Sequence, residues 1–332
     1  IQPGVILARL NKYLAKHNRM FGPDPSNRDV TTMGSVLALD NSGSHWLKYR
    51  SPRFHVEELE VVLADGSVLR LNRESNTETL CAIPIKQALS DPVEAPTVSR
   101  LDEIQERIRS ILTTHQQTIV EHTPKAPVHR CGYHLNNLVR DDHLDLTKLL
   151  VGSEGTLGLI TEATVRTTPI PEQTGVLLLF FDRIDKATKA SQLLGNMDIS
   201  ACDLLDRRLL ALARKTDPRF VRSIPDDAEA MLLVEVEGTT RNEIRDRLAR
   251  ISEVIQQQHH LAFASRLALE KAEIKQAWSI TQNVIPTLYR LEGSSRAIPF
   301  VEDIAVPPAK LPEVLPQIYA ALQKHATTAS LF

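Results

Sequence analysis

Aromatic residues are scarce, at 5% of 332 residues with only two tryptophans. A nucleic-acid platform built on stacked rings therefore has little to build from. Charge of one sign is missing too: the net charge is −2, which gives no general attraction to nucleic acid or anionic membrane. No apolar run nears the roughly 18 residues of a membrane span. The longest run, residues 176–181, has the length of a strand. Cysteine is sparse, odd in number and scattered as Cys81, Cys131 and Cys202. With no CxxC pair, neither a disulfide framework nor a cysteine zinc site is supported, and a reducing compartment fits. No secretory leader opens the chain, which begins at Ile1 inside what reads as a structured element, so it is read as a fragment.

What is present is ordinary for a folded protein. Hydrophobic residues make up 42% and charged residues 24%. The length predicts two domains. Ile6, Leu7, Leu10 and Leu14 fall at helical spacing, which predicts a helix over residues 5–17. Residues 22–44, rich in Gly, Pro, Asp, Asn and Ser, read as a long irregular stretch of the kind that is functional or disordered. Residues 59–63 and 68–71 flank Asp65-Gly66 and predict a hairpin. A helix is expected over 101–121, and short strands over 149–151 and 159–167 around a glycine segment. Pro169 and Pro171 place the domain boundary near Glu172, giving domains 1–172 and 173–332.

The second half alternates. Strands are expected at 176–181, 231–237, 262–266 and 298–305. Helices are expected at 185–194, 203–215, 241–260, 270–282 and 311–325. This is the rhythm of an α/β or α+β sandwich with one layer of helices on a sheet.

The densest candidate for chemistry is Gly152-Ser153-Glu154-Gly155-Thr156-Leu157-Gly158-Leu159-Ile160-Thr161. Three glycines at a spacing of three let the backbone come close to a flat or phosphorylated ligand. No Gly-Lys-Ser/Thr follows, so it is not a P-loop. It continues into a strand, so it is not the opening of a dinucleotide-binding helix. On spacing alone, a plain glycine-rich turn remains open.

That segment resembles the glycine stretch of FAD-linked oxidases of the vanillyl-alcohol oxidase type. The nearest branch is that of glycolate oxidase, D-lactate dehydrogenase and D-2-hydroxyglutarate dehydrogenase. Phe21-Gly22-Pro23-Asp24-Pro25-Ser26 resembles the family's Gly-Pro-Asp-Pro-Ser loop. Thr32-Met33-Gly34-Ser35 resembles Thr-Ile-Gly-Gly, and Asn41-Ser42-Gly43-Ser44 resembles Asn-Ala-Ser-Gly-Ser. Gly132-Tyr133 resembles a Gly-Tyr before the glutamate loop. Residues 301–307 resemble Glu-Asp-Val-Ala-Val-Pro. These pieces occur in family order along nearly the whole chain.

The resemblance implies an α+β protein. Its first part would be the second subdomain of a PCMH-type FAD-binding domain, followed by an incomplete ferredoxin-like α/β cap. It implies FAD as cofactor, contacted by Pro23, Asp24, Pro25, Ser26, Thr32, Met33, Gly34, Ser35, Asn41, Ser42, Gly43, Gly152, Glu154, Gly155, Gly158 and Ile160. A Gly/Ser-rich loop suits this because its N–H groups can form a nest for phosphate oxygens. The implied reaction is oxidation of a small D-2-hydroxy acid (lactate, glycolate or 2-hydroxyglutarate type) by hydride transfer to flavin. Electrons would pass to a quinone, an electron-transfer protein or an iron–sulfur module. A homodimer fits, as does a cytoplasmic location or one at the inner face of the membrane, and nucleic acid is not expected. Family members begin with a subdomain carrying a Pro-Gly-Gly-Gly-Thr-Ser-like loop and carry a histidine motif after residues like 301–307. Both are expected to lie outside this chain, leaving the general base unassigned, no metal ligands, and the fragment inactive alone.

Several positions depart from the family pattern. Ser35 stands for the second glycine, Asp40 for an Asn, and Arg50 for a Gly. Thr281, in Trp278-Ser279-Ile280-Thr281, stands where a substrate-binding Arg is usual. Asp40 would place a negative charge near phosphate or flavin, and Thr281 cannot pair with a carboxylate as Arg does. Thr281, Ser35, Asp40 and both truncations favour the alternative of a truncated or degenerate non-catalytic homologue, acting as a scaffold or with no independent activity. His122, His129, His134, His143, His259 and His260 read as solvated or capping residues. His45 and His55, beside the flavin-like loops, hold more interest, while Trp46 and Tyr49 read as packing residues.

Overall fold

A computed structural model describes residues 1–73, 99–129, 131–140, 143–289 and 304–331. The chain forms two compact units. The first comprises Ile1–Gly43 and Tyr49–Ile170, and the second Ser44–Lys48 and Pro171–Phe332.

In the first unit, helix α1 (Leu7–Leu14) follows the expected periodicity and buries Leu7 and Leu10. They pack with Phe21, Met33 and Val36. Residues 22–44 are not irregular throughout: Met33–Ala38 forms a helix, α2, whose first turn is capped where the Thr32 hydroxyl accepts a bond from the Ser35 N–H at 3.2 Å. Ordinary N-cap chemistry thus overrides the loop-like composition. Strands β1 (Val56–Val62) and β2 (Val68–Asn72) form the expected hairpin, closed where the Leu63 N–H bonds to Ser67 O at 2.9 Å. Arg100–Thr114 is a helix, α3, separated from a second helical stretch, Gln116–His122, at His115. Strand β3 (Leu159–Val165) joins the far side of β1, giving the antiparallel order β2-β1-β3. The expected strand at 149–151 is replaced by a helical turn, Thr147–Leu150. Leu149, Leu150 and Val151 instead fill the core against Val56, Leu59, Val61 and Leu37, so their apolar run serves burial rather than pairing.

The second unit holds strands β4 (Gln173–Phe181), β5 (Ala201–Asp206), β6 (Ala230–Gly238) and β7 (Ala264–Ala268). They form an antiparallel sheet of order β7-β4-β6-β5, the fourth, first, third and second in chain order. Helix α4 (Ile184–Leu194) connects β4 to β5, and helix α6 (Arg241–Ser252) connects β6 to β7. Between β5 and β6 lies α5 (Arg207–Thr216), and after β7 lies α7 (Lys271–Gln282).

Helices cover both faces of this sheet rather than one. Leu177, Leu179, Phe181, Leu232, Val234 and Val236 pack with residues of α4 and α6. Val176, Leu178, Phe180, Met231 and Leu233 pack with Leu209 and Leu210 of α5 and Trp278 and Ile280 of α7. Burial on both faces explains why β4 and the first part of β6 are continuous apolar runs without alternation. Truncating Leu179, which is fully buried, to alanine is expected to cost about 2–5 kcal/mol in urea unfolding.

Two further expectations change, and a third lies mostly outside the described residues. Residues 203–206 are strand, not helix, because they pair in register with β6, Asp203 opposite Leu233 and Asp206 opposite Ala230. Asp206 then caps α5, accepting a bond from the Leu209 N–H at 3.0 Å. The helix expected over 241–260 leaves α-geometry at Ser252 and continues as a π-helical stretch, Glu253–Gln258. Of the strand expected at 298–305, most lies outside the described residues, and Ile304 and Ala305 carry no strand. The last helix is Leu311–Lys324.

Candidate functional site

The first unit brings three of the flavin-like loops together through main-chain bonds. The Asp24 N–H donates to Ser42 O at 2.8 Å, and Asp24 and Gly43 form a parallel bridge. The Gly152 N–H donates to Leu37 O at 3.0 Å, and the Glu154 N–H to Ala38 O at 2.9 Å. The Pro23 to Ser26 loop therefore lies beside Asn41 to Gly43, and the glycine segment lies beside the end of α2. Tyr133 joins them: its hydroxyl is 2.8 Å from that of Thr156.

Close backbone approach is real here, and much of it is internal. A Cβ on Gly43, which has φ +77°, would collide with the Asp24 carbonyl. One on Gly152 would strike the Arg53 guanidinium. Gly155 differs, because its side-chain position faces open space. Ser26, Glu154 and Gly155 are exposed, Asn41 and Ser35 are partly exposed, and Ser42 is buried. The Met33 side chain is buried in the core, so only its main chain can face a ligand. Gly34 is backed by Pro3, 2.7 Å from where its Cβ would lie. Gly158 sits against Val62 O, and Ile160 pairs with Val61 in the sheet.

Asp40 does not present its charge to a ligand. It is 3% exposed and its carboxylate is enclosed. The Ser51 hydroxyl donates to it at 2.9 Å, the Arg53 main-chain N–H at 2.9 Å, and the Arg53 guanidinium lies 3.5 Å away. Arg53 also donates to Val151 O at 2.8 Å, tying this pair to the start of the glycine segment. Asp40 has φ +52° and Arg50 +58°. Asp and Asn tolerate that left-handed backbone, which accounts for the Asn-to-Asp departure. Arg50 keeps a glycine-like dihedral at a steric cost.

The histidines near the glycine segment are not simply solvated. The rings of His129 and His134 lie 5.6 Å apart. Burial, and then the positive charges of Arg53, His129 and Lys148, lower the His134 pKa to about 4. Its imidazole is therefore neutral when folded, while the unfolded chain protonates near the ordinary 6.5. Stability is fully present above that ordinary value and is lost as pH falls toward the folded one. The ring is only half-buried, so the expected loss is about 1–2 kcal/mol. Comparing urea unfolding at about pH 7.5 and about pH 5 in wild type and His134→Gln tests this, with a smaller difference expected in the variant.

These residues fit an anionic cofactor. The carboxylate that would repel a phosphate is neutralised inside the protein, the field at His134 is positive, and exposed loop backbone borders an open glycine.

In the second unit, Thr281 is 3% exposed and its hydroxyl donates to Trp278 O at 3.0 Å. It is committed to its own helix. Nearby, Trp278 Nε1 donates to Glu235 Oε2 at 2.7 Å, and the His45 Nε2 lies 2.8 Å from Glu235 Oε1. Ser44 donates to Asp203 at 2.7 Å, and Lys48 to Glu237 at 2.6 Å. The sequence reading missed this cluster. Its signal was two glutamates, at i and i+2, inside an otherwise apolar strand. Residues 301–303 of the expected C-terminal motif lie outside the described residues.

Comparison with known proteins finds two matching families in chain order. The family described as FAD binding domain matches residues 1–72, and that described as FAD linked oxidases, C-terminal domain, matches residues 170–332. D-2-hydroxyglutarate dehydrogenase of Pantoea ananatis is 28% identical over all of this chain and 32% of its own length. That of Escherichia coli is 27% identical over all of the chain and 33% of its own length. Glycolate oxidase subunit GlcD of Escherichia coli is 26% identical over 98% of the chain and 51% of its own length. Alkyldihydroxyacetonephosphate synthase shares the fold over 86% of this chain and 42% of its own, with a TM-score of 0.51 at 16% identity. The chain thus spans about a third of the length of the first two relatives.

Proposed function

Because this chain belongs to the FAD-linked oxidases, matched in chain order by an FAD-binding and a C-terminal oxidase family, we propose that its parent protein oxidises a small D-2-hydroxy acid. The observation that carries the reading is a pair of main-chain junctions, the 23–26 loop on residues 41–43 and the 152–154 segment on Leu37 and Ala38 at the end of α2. Names of the relatives supply the substrate class: 2-hydroxyglutarate and glycolate. When bound, FAD supplies the hydride-accepting chemistry, and the protein supplies position and electrostatics.

In this reading, Ser26, Asn41, Gly43, Glu154 and Gly155 border the cofactor with main-chain groups and short side chains. With Asp40 neutralised by Arg53, the carboxylate of that corner does not oppose its phosphates. We assign residues 1–172 to the cofactor-binding part and 173–332 to a ferredoxin-like cap, an assignment supported by its antiparallel sheet order β7-β4-β6-β5, with α5 an addition between β5 and β6. The acceptor is a quinone, an electron-transfer protein or an iron–sulfur module, and a homodimer fits. Among the described residues, no helix is long and apolar enough to cross a membrane.

A second reading has one specific support. Thr281, buried and bonded within its helix, holds no substrate carboxylate. A non-catalytic homologue would keep the fold and lose turnover. Anaerobic mixing of the full-length parent with D-2-hydroxyglutarate, D-lactate or glycolate separates the two. Bleaching of the flavin spectrum by one of these, with the L-enantiomers of the two chiral acids inert, is expected. An unchanged spectrum with all three would overturn the enzyme reading in favour of the second.

A further inference from the structure

Glu235 and Glu237 sit two residues apart on β6, so both project from the same face of the sheet. They are 4% and 7% exposed, among residues that are otherwise apolar. Two carboxylates taken out of water are costly unless positive charge or several hydrogen bonds compensate.

The compensation has an unusual composition. Glu235 accepts from Trp278 Nε1 at 2.7 Å and from the Ser200 hydroxyl at 3.3 Å, which fixes the carboxylate's orientation. Its Oε1 faces His45 Nε2 at 2.8 Å. The His45 ring also stacks beside Trp278, with centroids 5.1 Å apart. Glu237 is met by the Lys48 ammonium at 2.6 Å. One nitrogen of His45 and one oxygen of each glutamate all lie within 4.8 Å of one another.

We propose that His45, Glu235 and Glu237 form a binding site for a divalent transition-metal ion, with the Lys48 ammonium as the competing occupant. The inference is independent of the flavin reading. The donors suit such an ion: one imidazole and two carboxylates, with metal–ligand distances of about 2.0–2.2 Å reached by small side-chain movements. Trp278 and Ser200 act as outer partners that hold a ligating carboxylate, a feature of built metal sites.

A divalent ion in place of the ammonium puts one more unit of positive charge beside the two carboxylates. Lys48 can leave readily, because its side chain is 42% exposed on a flexible stem. The imidazole favours Mn²⁺ or Zn²⁺ over Mg²⁺.

The test uses this chain with Mn²⁺ alone, read by the loss of the free-ion EPR signal, and Zn²⁺ by equilibrium dialysis. One ion per chain is expected. His45→Ala and Glu237→Gln are each expected to weaken binding by about tenfold or more. Lys48→Met, which removes the competitor at an exposed position, is expected to strengthen it. Circular dichroism establishes that each variant is folded, and His45→Ala, which removes no buried carboxylate, keeps the test valid if Glu237→Gln is not. No bound ion in either wild type or Lys48→Met would overturn the proposal. So would binding unchanged in His45→Ala, or Mg²⁺ held as tightly as Mn²⁺.

Discussion

Replacing Arg53 by methionine is expected to lower the stability of the first unit by about 3–5 kcal/mol, because it strands a buried carboxylate without its partner. Arg53 is 4% exposed and serves two elements at once. Its guanidinium neutralises Asp40, and it donates to Val151 O just before the glycine segment. The methionine stem fills most of the same space, so the loss is electrostatic rather than a cavity. Denaturant unfolding of Arg53→Met, Asp40→Asn and the double variant gives the coupling. The double variant is expected to be less destabilised than the sum of the two single variants, since asparagine needs no counter-charge and tolerates the φ of +52° at that position. Full additivity would show that the pair is not what holds this corner.

The second large effect is expected at Gly43. Gly43→Val places a branched side chain at φ +77° and against the Asp24 carbonyl. Backbone strain of about 1–3 kcal/mol adds to overpacking of similar size. The bridge between Asp24 and Gly43, and the bond from the Asp24 N–H to Ser42 O, have to open to admit it. Thermal unfolding is expected to fall by several degrees, and limited proteolysis to cut first between residues 23 and 43. Gly43→Ala should show a smaller loss of the same kind. A Gly43→Val protein as stable as wild type would mean that the two loops are not joined as described.

Much of the fold could be read from side-chain periodicity. The helix over Leu7–Leu14, the hairpin at Asp65-Gly66 and the main strands of the second unit follow from apolar spacing and turn chemistry. Two of the failures share one physical cause, which is that pairing and burial are long-range. Nothing local in residues 203–206 tells that they pair with β6, and nothing local in 149–151 tells that they turn into a core rather than extend. Helices on both faces were legible only in the absence of alternation along Val176 to Phe181, which was read as length alone.

The candidate site divides in the same way. Its loops could be read as a combination, since each alone is ordinary turn chemistry. Asp40 looked like a misplaced charge because its partner, Arg53, is distant in the fold's logic although thirteen residues away in sequence. His45 was singled out only for its place beside a loop. Its glutamate lies 190 residues further on, beyond the reach of any spacing argument.

The central claim is that the joined loops of the first unit face FAD, and flavin fluorescence tests it most directly. Titrating this chain into dilute FAD is expected to quench the fluorescence to saturation. Gly155→Val should abolish the quenching: the added side chain meets nothing of the protein and points into open space, its backbone at φ +75° carries the strain of a left-handed dihedral, and circular dichroism establishes that the variant is folded. Flavin fluorescence unchanged by the wild-type chain, or quenched equally by the folded Gly155→Val variant, would contradict the assignment.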